Sequence, residues 1–323
     1  MAKNTWEIAL KAIQDHANIF IFHHIRPDGD CLGSQFGLRE LIKSNFPEKN
    51  VFVLGENKEL FPFMIWDFDK FEDIDKKYLN NSLGIVVDAN DSIRIQFSNL
   101  ILEKHFTHML RIDHHPNDPD IAYDYTWEDA TYAASAEQIA YIAMMANLKI
   151  SLPTARYLYL GINTDSNRFM YDYVQKRTFD VVSYLHNAEG FKVWDINFPL
   201  SIREEKKVKF NAYVLYNYKK EDNVIYFHVT KKMLEKFNLS PTEASDVGIL
   251  SNIGDCKVWV LFIDQPDGSI RARVRSNKIW INHVCQRFAP GGGHELAAGA
   301  TCKNSRDIRN LINELKAEVK KYD

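Results

Sequence analysis

The chain has 323 residues, a formal net charge of −3 and 46% apolar residues. That length and apolar content suit two domains, each with a buried core. The weak negative charge excludes a protein that coats long nucleic acid by charge alone, although short nucleotides in a local basic pocket stay open.

In chain order, residues 5–17 read as a helix, with Trp6, Ala9, Leu10, Ile13 and Ala17 at helical spacing. Residues 18–24 read as a first strand, 33–44 as a helix and Val51–Leu54 as a second strand. The aromatic stretch from Phe61 to Phe71 is expected to be a packed loop or short helix. Leu83–Asp88 and His108–Asp113 are further buried-strand patterns, with helices expected over 92–105 and 131–147. Leu152–Ile162 is a helix or a strand approach that leads to Asp165. A charged segment over 202–218 reads as a linker helix. The expected layout is a first domain over 1–190, a linker helix region over 191–222 and a second domain over 223–323. In the second domain, Val224–Val229, Lys257–Ile263 and Ile270–Ser276 read as strands, with Asp267–Gly268 as a hairpin turn. A glycine-rich loop followed by a helix, and a last helix over 305–321, complete the chain. The N-terminus has no secretory apolar region and no apolar run is long enough to span a bilayer. Cysteines 31, 256, 285 and 302 are scattered without a Cys-x-x-Cys. They point to a reducing compartment, so the expected location is the cytoplasm.

Acidic and histidine side chains stand at the ends of the strand-like runs. In an open parallel sheet, ligands bind outside the carboxyl ends of the strands. This brings His24, Asp28, Asp30, Asp88, His114 and Asp165 into one crevice. Pro27-Asp28-Gly29 is also an ordinary turn, and Asp30 is also suited to cap a helix. Four carboxylates and two imidazoles suit a pair of divalent ions, with Mn²⁺ the leading choice and Mg²⁺ or Co²⁺ as alternatives. His24 and Asp28 are assigned to one ion, Asp30, His114 and Asp165 to the other, and Asp88 is the expected bridge. His115 points away from the ligands if the segment is extended, and is a candidate to bind the scissile phosphate or protonate the leaving oxygen. Asp113 is a candidate to orient a histidine.

Gly291, Gly292, Gly293 and His294 form the second signal: consecutive glycines before an expected helix let backbone amides approach a phosphate. Arg271, Arg273 and Arg275 share one face of a strand, and a solvated face is the plainer reading. Arg275 and Ser276 are the preferred phosphate contacts, with Arg271, Arg273 and Arg168 as weaker ones.

His24-x-x-x-Asp28-Gly-Asp30, Asp88, Asp113-His114-His115 and Asp165 together resemble the motifs of the DHH phosphoesterase superfamily. Gly291-Gly-Gly-His-Glu-Leu-Ala-Ala-Gly299 resembles the hallmark of its DHHA1 partner domain. The combination is most similar to the NrnA-type branch of short-RNA nucleases (nanoRNases) and pAp phosphatases. The resemblance implies an α/β fold, with a parallel-sheet DHH domain joined to a smaller α/β DHHA1 domain and the active site in the cleft between them. It implies Mn²⁺-dependent hydrolysis of short oligoribonucleotides to mononucleotides, and of 3′-phosphoadenosine 5′-phosphate (pAp) to AMP and phosphate. It also implies substrate binding by Arg275-Ser276 and Gly291 to His294. No membrane or long duplex is an expected partner, and a homodimer is compatible with the pattern. Arg26, Cys31 and Ser166-Asn167 depart from the usual residues of the family, without loss of a ligand. A soluble phosphodiesterase of linear or cyclic dinucleotides is one rival. A nucleotide-binding sensor without turnover is another, from a different class.

Overall fold

The structure is a computed structural model that describes residues 4–322 apart from Lys58, Asn117 and His294. It divides into two units, the first ending at Ser201 and the second beginning at Ile202.

In the first unit, α1 (Trp6–Asp15) leads into β1 (Asn18–Phe22), α2 (Gly29–Asn45) and β2 (Asn50–Leu54). Then come β3 (Ser82–Val87), α3 (Ser98–Leu102), β4 (His108–Asp113) and β5 (Tyr125–Glu128). Helices α4 (Ser135–Met145), α5 (Leu152–Asp165), α6 (Lys176–Leu185) and α7 (Trp194–Ser201) come after them. The five strands are parallel, in the order β2-β1-β3-β4-β5. All five residues of β1 and all six of β3 are buried, as expected for parallel strands covered on both faces. Successive β1 residues feed opposite cores. Ile19 and Ile21 pack with residues of α1, α2, α4 and α5. Phe20 and Phe22 pack on the other face with Leu100, Ile101 and Phe106. The aromatic stretch is a packed loop in which Phe36 of α2 meets Trp66 and Phe68 edge-on.

Three expectations need correction. The span 92–105 is not one helix, because Phe97 takes a left-handed φ of 59° and separates a short 3₁₀ turn from α3. The run into Asp165, compatible with a helix or a strand in the sequence, is the helix α5, and this carboxylate ends it. The span 191–222 is not a linker helix. It holds α7, which closes the first unit, and α8 (Glu205–Asn217), whose Phe210 and Val214 sit four residues apart and bury in a core of the second unit. The glycine-rich loop is not followed by a helix, as the second unit makes plain.

The second unit continues with β6 (Lys219–Glu221), β7 (Val224–Val229), α9 (Lys231–Phe237), β8 (Val258–Asp264) and β9 (Ile270–Ser276). It ends with α10 (Asn282–Gln286), β10 (Gly292–Gly293), β11 (Ala297–Cys302) and α11 (Ser305–Val319). The sheet order is β10-β11-β9-β8-β7-β6, antiparallel except for β7 beside β8. Alanine-rich Ala297–Cys302 has a helical propensity, but full antiparallel pairing with β9 and burial of Ala298, Ala300 and Cys302 override it.

Close approach decides how α2 meets α5. A Cβ built on Gly33 would lie 2.5 Å from the Tyr157 carbonyl oxygen, so only glycine fits. Gly33→Ala is expected to lower stability by about 1–3 kcal/mol, the usual cost of overpacking, read as a lower urea midpoint. In the second unit, Glu221 accepts hydrogen bonds from Tyr226, Arg309 and Lys316, which tie β6 to α11. The Tyr226 hydroxyl first, and then Lys316, hold its carboxyl at about 2, below its usual 4.5. A depressed folded-state value stabilises above the unfolded value and is lost as pH falls through the folded one. The gap in urea midpoint between the natural chain and Glu221→Gln is therefore expected to be full at pH 7. It should close as pH falls from 4.5 towards 2, and a gap that does not vary with pH would refute this.

Candidate metal centre

Strand order places the centre. His24 comes after β1, Asp88 after β3 and His114 after β4, so three neighbouring parallel strands deliver them at their carboxyl ends. The order 2-1-3 makes the β1/β3 border the point where the sheet reverses its winding, which is where open α/β sheets bind ligands. Asp88 takes a left-handed φ of 57°, and its amide donates to the Ile112 carbonyl at 3.1 Å. Strain of this kind costs on the order of 1–3 kcal/mol and collects at functional positions.

The α2 N-terminus supplies two carboxylates. Asp28 caps it, with Oδ1 accepting from the Asp30 and Cys31 amides at 3.1 Å each. The cap is therefore Asp28 and not Asp30. Its other oxygen, Oδ2, lies 3.4 Å from His24 Nε2, so capping and ligation use different atoms. Asp30 is buried and accepts from the first amides of α4, Ser135 at 2.7 Å and Ala136 at 2.9 Å, and from the Ser34 hydroxyl at 3.2 Å. Gly161 of α5 makes room for it: a Cβ there would lie 2.9 Å from Asp30 Oδ1.

Both imidazoles are oriented from behind. His24 Nδ1 faces the Ile25 carbonyl at 2.9 Å, and His114 Nδ1 faces the Tyr132 carbonyl at 3.3 Å. A carbonyl only accepts, so each Nδ1 carries the hydrogen and each Nε2 turns to the carboxylates. Histidines that hold metals are commonly fixed this way. His24 Nε2 lies 3.4 Å from Asp88 Oδ2, and His114 Nε2 lies 3.4 Å from Asp88 Oδ1. Each oxygen of one carboxylate thus faces one histidine. His114 Nε2 is also 3.4 Å from Asp165 Oδ2 and 3.8 Å from Asp30 Oδ2. Two groups of donor atoms, each within 4.8 Å of one another, result: His24, Asp28, Cys31 and Asp88, and Asp30, His114 and Asp165. Asp88, His114 and His115 form a third.

The electrostatics suit a bound positive charge. Burial and then the Asp88 and Asp165 carboxylates drive Asp30 well above its ordinary value. Burial likewise lifts Asp165 to about 6. Burial works against a charged His114, but Asp88, Asp30 and Asp165 outweigh it and push the ring up to about 10. His24 is raised in the same way by Asp28 and Asp88. Burial would raise Asp88, yet the two histidines hold it below the usual carboxylate range. Divalent cations are what such a set of converging oxygen and nitrogen atoms would accept.

Asp113 is buried under the histidines. Arg111, itself fully buried, donates to Asp113 Oδ2 at 2.6 and 3.1 Å and to Glu128 at 2.9 Å. Asp113 Oδ1 accepts from the His115 amide at 3.1 Å and from His115 Nδ1 at 2.8 Å. β4 ends at Asp113, so the extended geometry that would turn His115 away does not hold. His115 Nδ1 also lies 3.5 Å from Asp88 Oδ1. Two members of the centre have no role assigned by sequence reasoning, Cys31 and Arg111. Cys31 lies three residues past Asp28, on the same helical turn, and that spacing is the signal for it. For Arg111 the signal is Asp113, two residues on along the same strand and so on the same face, while Glu128 comes into reach only when β5 pairs with β4.

In the second unit, Arg271 and Arg273 are exposed on β9 and Arg275 is half-buried, with Ile270, Ala272 and Val274 beneath. Arg271 donates to Thr301 at 3.2 Å, and the buried Ser276 hydroxyl donates to the Ile279 carbonyl. Gly292 and Gly293 take φ of 145° and 133° and pair with Gly299 and Ala298. A Cβ on Gly291 would sit 2.1 Å from the Cys285 carbonyl oxygen. The loop therefore leads into a strand, and among the described residues no helix N-terminus stands there for an anion. His294 lies outside the described residues. Arg168 is exposed in a left-handed turn past Asp165.

Residues 18–162 match the DHH family, N-terminal domain, and residues 221–321 match the DHHA1 domain. The chain is 41% identical to the bifunctional oligoribonuclease and PAP phosphatase NrnA of Mycoplasma pneumoniae, over 96% of this chain and 95% of that one. It is 38% identical to the protein of the same name from Mycoplasma genitalium, over 97% and 98%. The crystal structure of an exopolyphosphatase-related protein from Bacteroides fragilis shares the fold, with a TM-score of 0.82 at 22% identity across 98% of this chain and 97% of that one. The chain belongs to the DHH family, in the NrnA branch that carries a DHHA1 domain, and it is a hydrolase of phosphoester bonds.

Titration calorimetry with Mn²⁺ is expected to give two ions per chain. His24→Ala should abolish one, Asp165→Ala should weaken the other, and Asp88→Asn should weaken both. A single ion in the natural chain would refute the split role of Asp88.

Proposed function

We propose that the chain hydrolyses oligoribonucleotides a few residues long to mononucleotides, and pAp to AMP and phosphate, with two Mn²⁺ ions held in the first unit. The observation that carries this reading is the division of Asp88, one oxygen towards His24 and the other towards His114. His24, Asp28 and Asp88 would hold one ion, and Asp88, Asp30, His114 and Asp165 the other. Ions bound there supply Lewis acidity towards the phosphoryl oxygen and an activated water for in-line displacement. The names of the two Mycoplasma relatives support the substrates.

The chain's own residues do the rest. Asp113 is an ionised acceptor, because His115 and Arg111 outweigh the effect of its burial. It therefore fixes the hydrogen of His115 on Nδ1 and leaves Nε2 to meet the substrate. With a second hydrogen on Nε2, as an imidazolium balanced by Asp113, His115 can donate to the phosphate or give that proton to the leaving oxygen. Arg111 acts through Asp113 as a positioning residue. In the second unit, Arg275 and the backbone of Gly291 to Gly293 would contact a nucleotide's phosphate and sugar, with Arg271 and Arg273 on its outer charges, and the buried Ser276 hydroxyl, which donates to the Ile279 carbonyl, would brace that strand end. Among the described residues no helix is long and apolar enough to cross a membrane. All four cysteines are free and buried, which favours a reducing, cytoplasmic setting.

Turnover with Mn²⁺ on a panel of pAp, RNA dimer to pentamer, linear and cyclic dinucleotides and pyrophosphate tests the reading. Cleavage of pAp and short RNA, but not of pyrophosphate, is expected, and cleavage of dinucleotides alone would overturn it. Asp113→Asn is expected to lower turnover by roughly 10–100-fold, the usual effect of losing a partner that orients a histidine, with the ion stoichiometry unchanged.

A further inference from the structure

Directly after Asp165 the backbone adopts an uncommon shape. Asn167, Arg168 and Phe169 take φ of 49°, 59° and 64°, three left-handed residues in a row with no glycine among them. Hydrogen bonds tie the turn down. The Arg168 amide donates to the Asn163 carbonyl at 2.7 Å, the Met170 amide to the Ser166 carbonyl at 3.0 Å, and the Phe169 amide to the Ser166 hydroxyl at 3.0 Å. Backbone held in a strained shape by its surroundings gathers at ligand clamps and active sites.

The turn sends side chains to unexpected places. Phe169 turns inward and stacks on Phe179 at 5.5 Å between ring centroids. Met170, Tyr171 and Tyr173 stay outside, 73%, 48% and 38% exposed. The Tyr171 and Tyr173 rings lie 5.3 Å apart at 48°. A run of large exposed side chains needs an explanation more than a single one does. Its location supplies one. The Tyr173 hydroxyl donates to the Asp165 carbonyl at 3.1 Å, and the Asp165 carboxylate lies 3.4 Å from His114 Nε2. The ring pair is therefore fastened to the metal centre, within one and the same unit.

A centre built from carboxylates offers little to the rest of a nucleotide. An exposed aromatic ring beside it offers a stacking surface, which every base can use and which does not depend on sequence. We propose that Tyr171, braced by Tyr173, stacks on the nucleobase of the nucleotide whose phosphate is attacked in the first unit. The assignment rests on the nucleotide substrate proposed above and adds how its base is held. It gives the chain a means to accept any short RNA end and adenosine bisphosphate alike, because no base edge is read.

The test compares Tyr171→Ala, Tyr171→Phe and the natural chain on pAp and on ribose 3,5-bisphosphate, which lacks the base. Tyr171→Ala is expected to raise KM for pAp by roughly 10–100-fold with kcat near its natural value. Tyr171→Phe should stay within about twofold, and the base-free compound should not distinguish the variants. An unchanged KM for pAp in Tyr171→Ala, or an equal rise on both compounds, overturns the assignment. A binding arm works without turnover. In Tyr171→Trp, AMP should quench fluorescence beyond the natural chain's response, and ribose 5-phosphate should not. Absence of that extra quenching overturns the stacking role. If pAp and short RNA are not cleaved at all, the proposed function fails, and the quenching result still decides for or against a base platform.

Discussion

Carboxylates crowded into a buried place repel one another, and the topology of this sheet forces that crowding. β1, β3 and β4 run side by side in the same direction, so the residues just past their carboxyl ends meet. Asp88 stands at the middle of the three, with a histidine on either side. Much of the first unit serves this arrangement. The amides at the start of α4 fix Asp30, the α2 cap aims Asp28, and two backbone carbonyls turn the imidazoles. A carboxylate that shares its two oxygens between two histidines is hard to replace. Asparagine keeps the shape but loses the charge, and glutamate would have to shift the strand end that carries it.

The residues proposed to act on the substrate are supported in layers, and the layers differ in what they can tolerate. Arg111 stands behind Asp113, and Asp113 in turn holds His115. Removing one member of such a buried, charged set leaves an uncompensated partner, which is far more costly than the pair is worth in net stability. Gly33 and Gly161 act by what they omit: both let α5 come close enough for Asp165 to reach His114 while Asp30 keeps its place.

Legibility tracks the burial pattern. Ile19 to Phe22 and Leu83 to Val87 can be read as strands because both faces of a parallel sheet are apolar, and the polar residue that ends each run then stands out. The same logic leaves the run into Asp165 open, since its apolar approach is compatible with a strand or a helix, and a helix is what forms. It gives no hint of β5, four residues of mixed character that pair with the outer edge of β4. Ala297–Cys302 misleads for a related reason: short, small residues pack in either state, and the choice is made by β9 across the sheet. Glu128 beside Arg111, and the Ser135 and Ala136 amides on Asp30, illustrate the remaining gap. A side chain's neighbour across the fold decides whether it is a ligand, a brace or filler, and spacing along the chain reports only neighbours on the same element.

The crowding at Asp88 also bears on how long the chain lasts. The two histidines offset part of this charge and a bound ion would offset more, so ion binding would also contribute to the folded state. A chain that binds its ions would then open less often, and proteases that cut the open form would reach it more slowly. Stability and activity would draw on the same ions, so a hydrolase without its metal would be easier to unfold as well as idle.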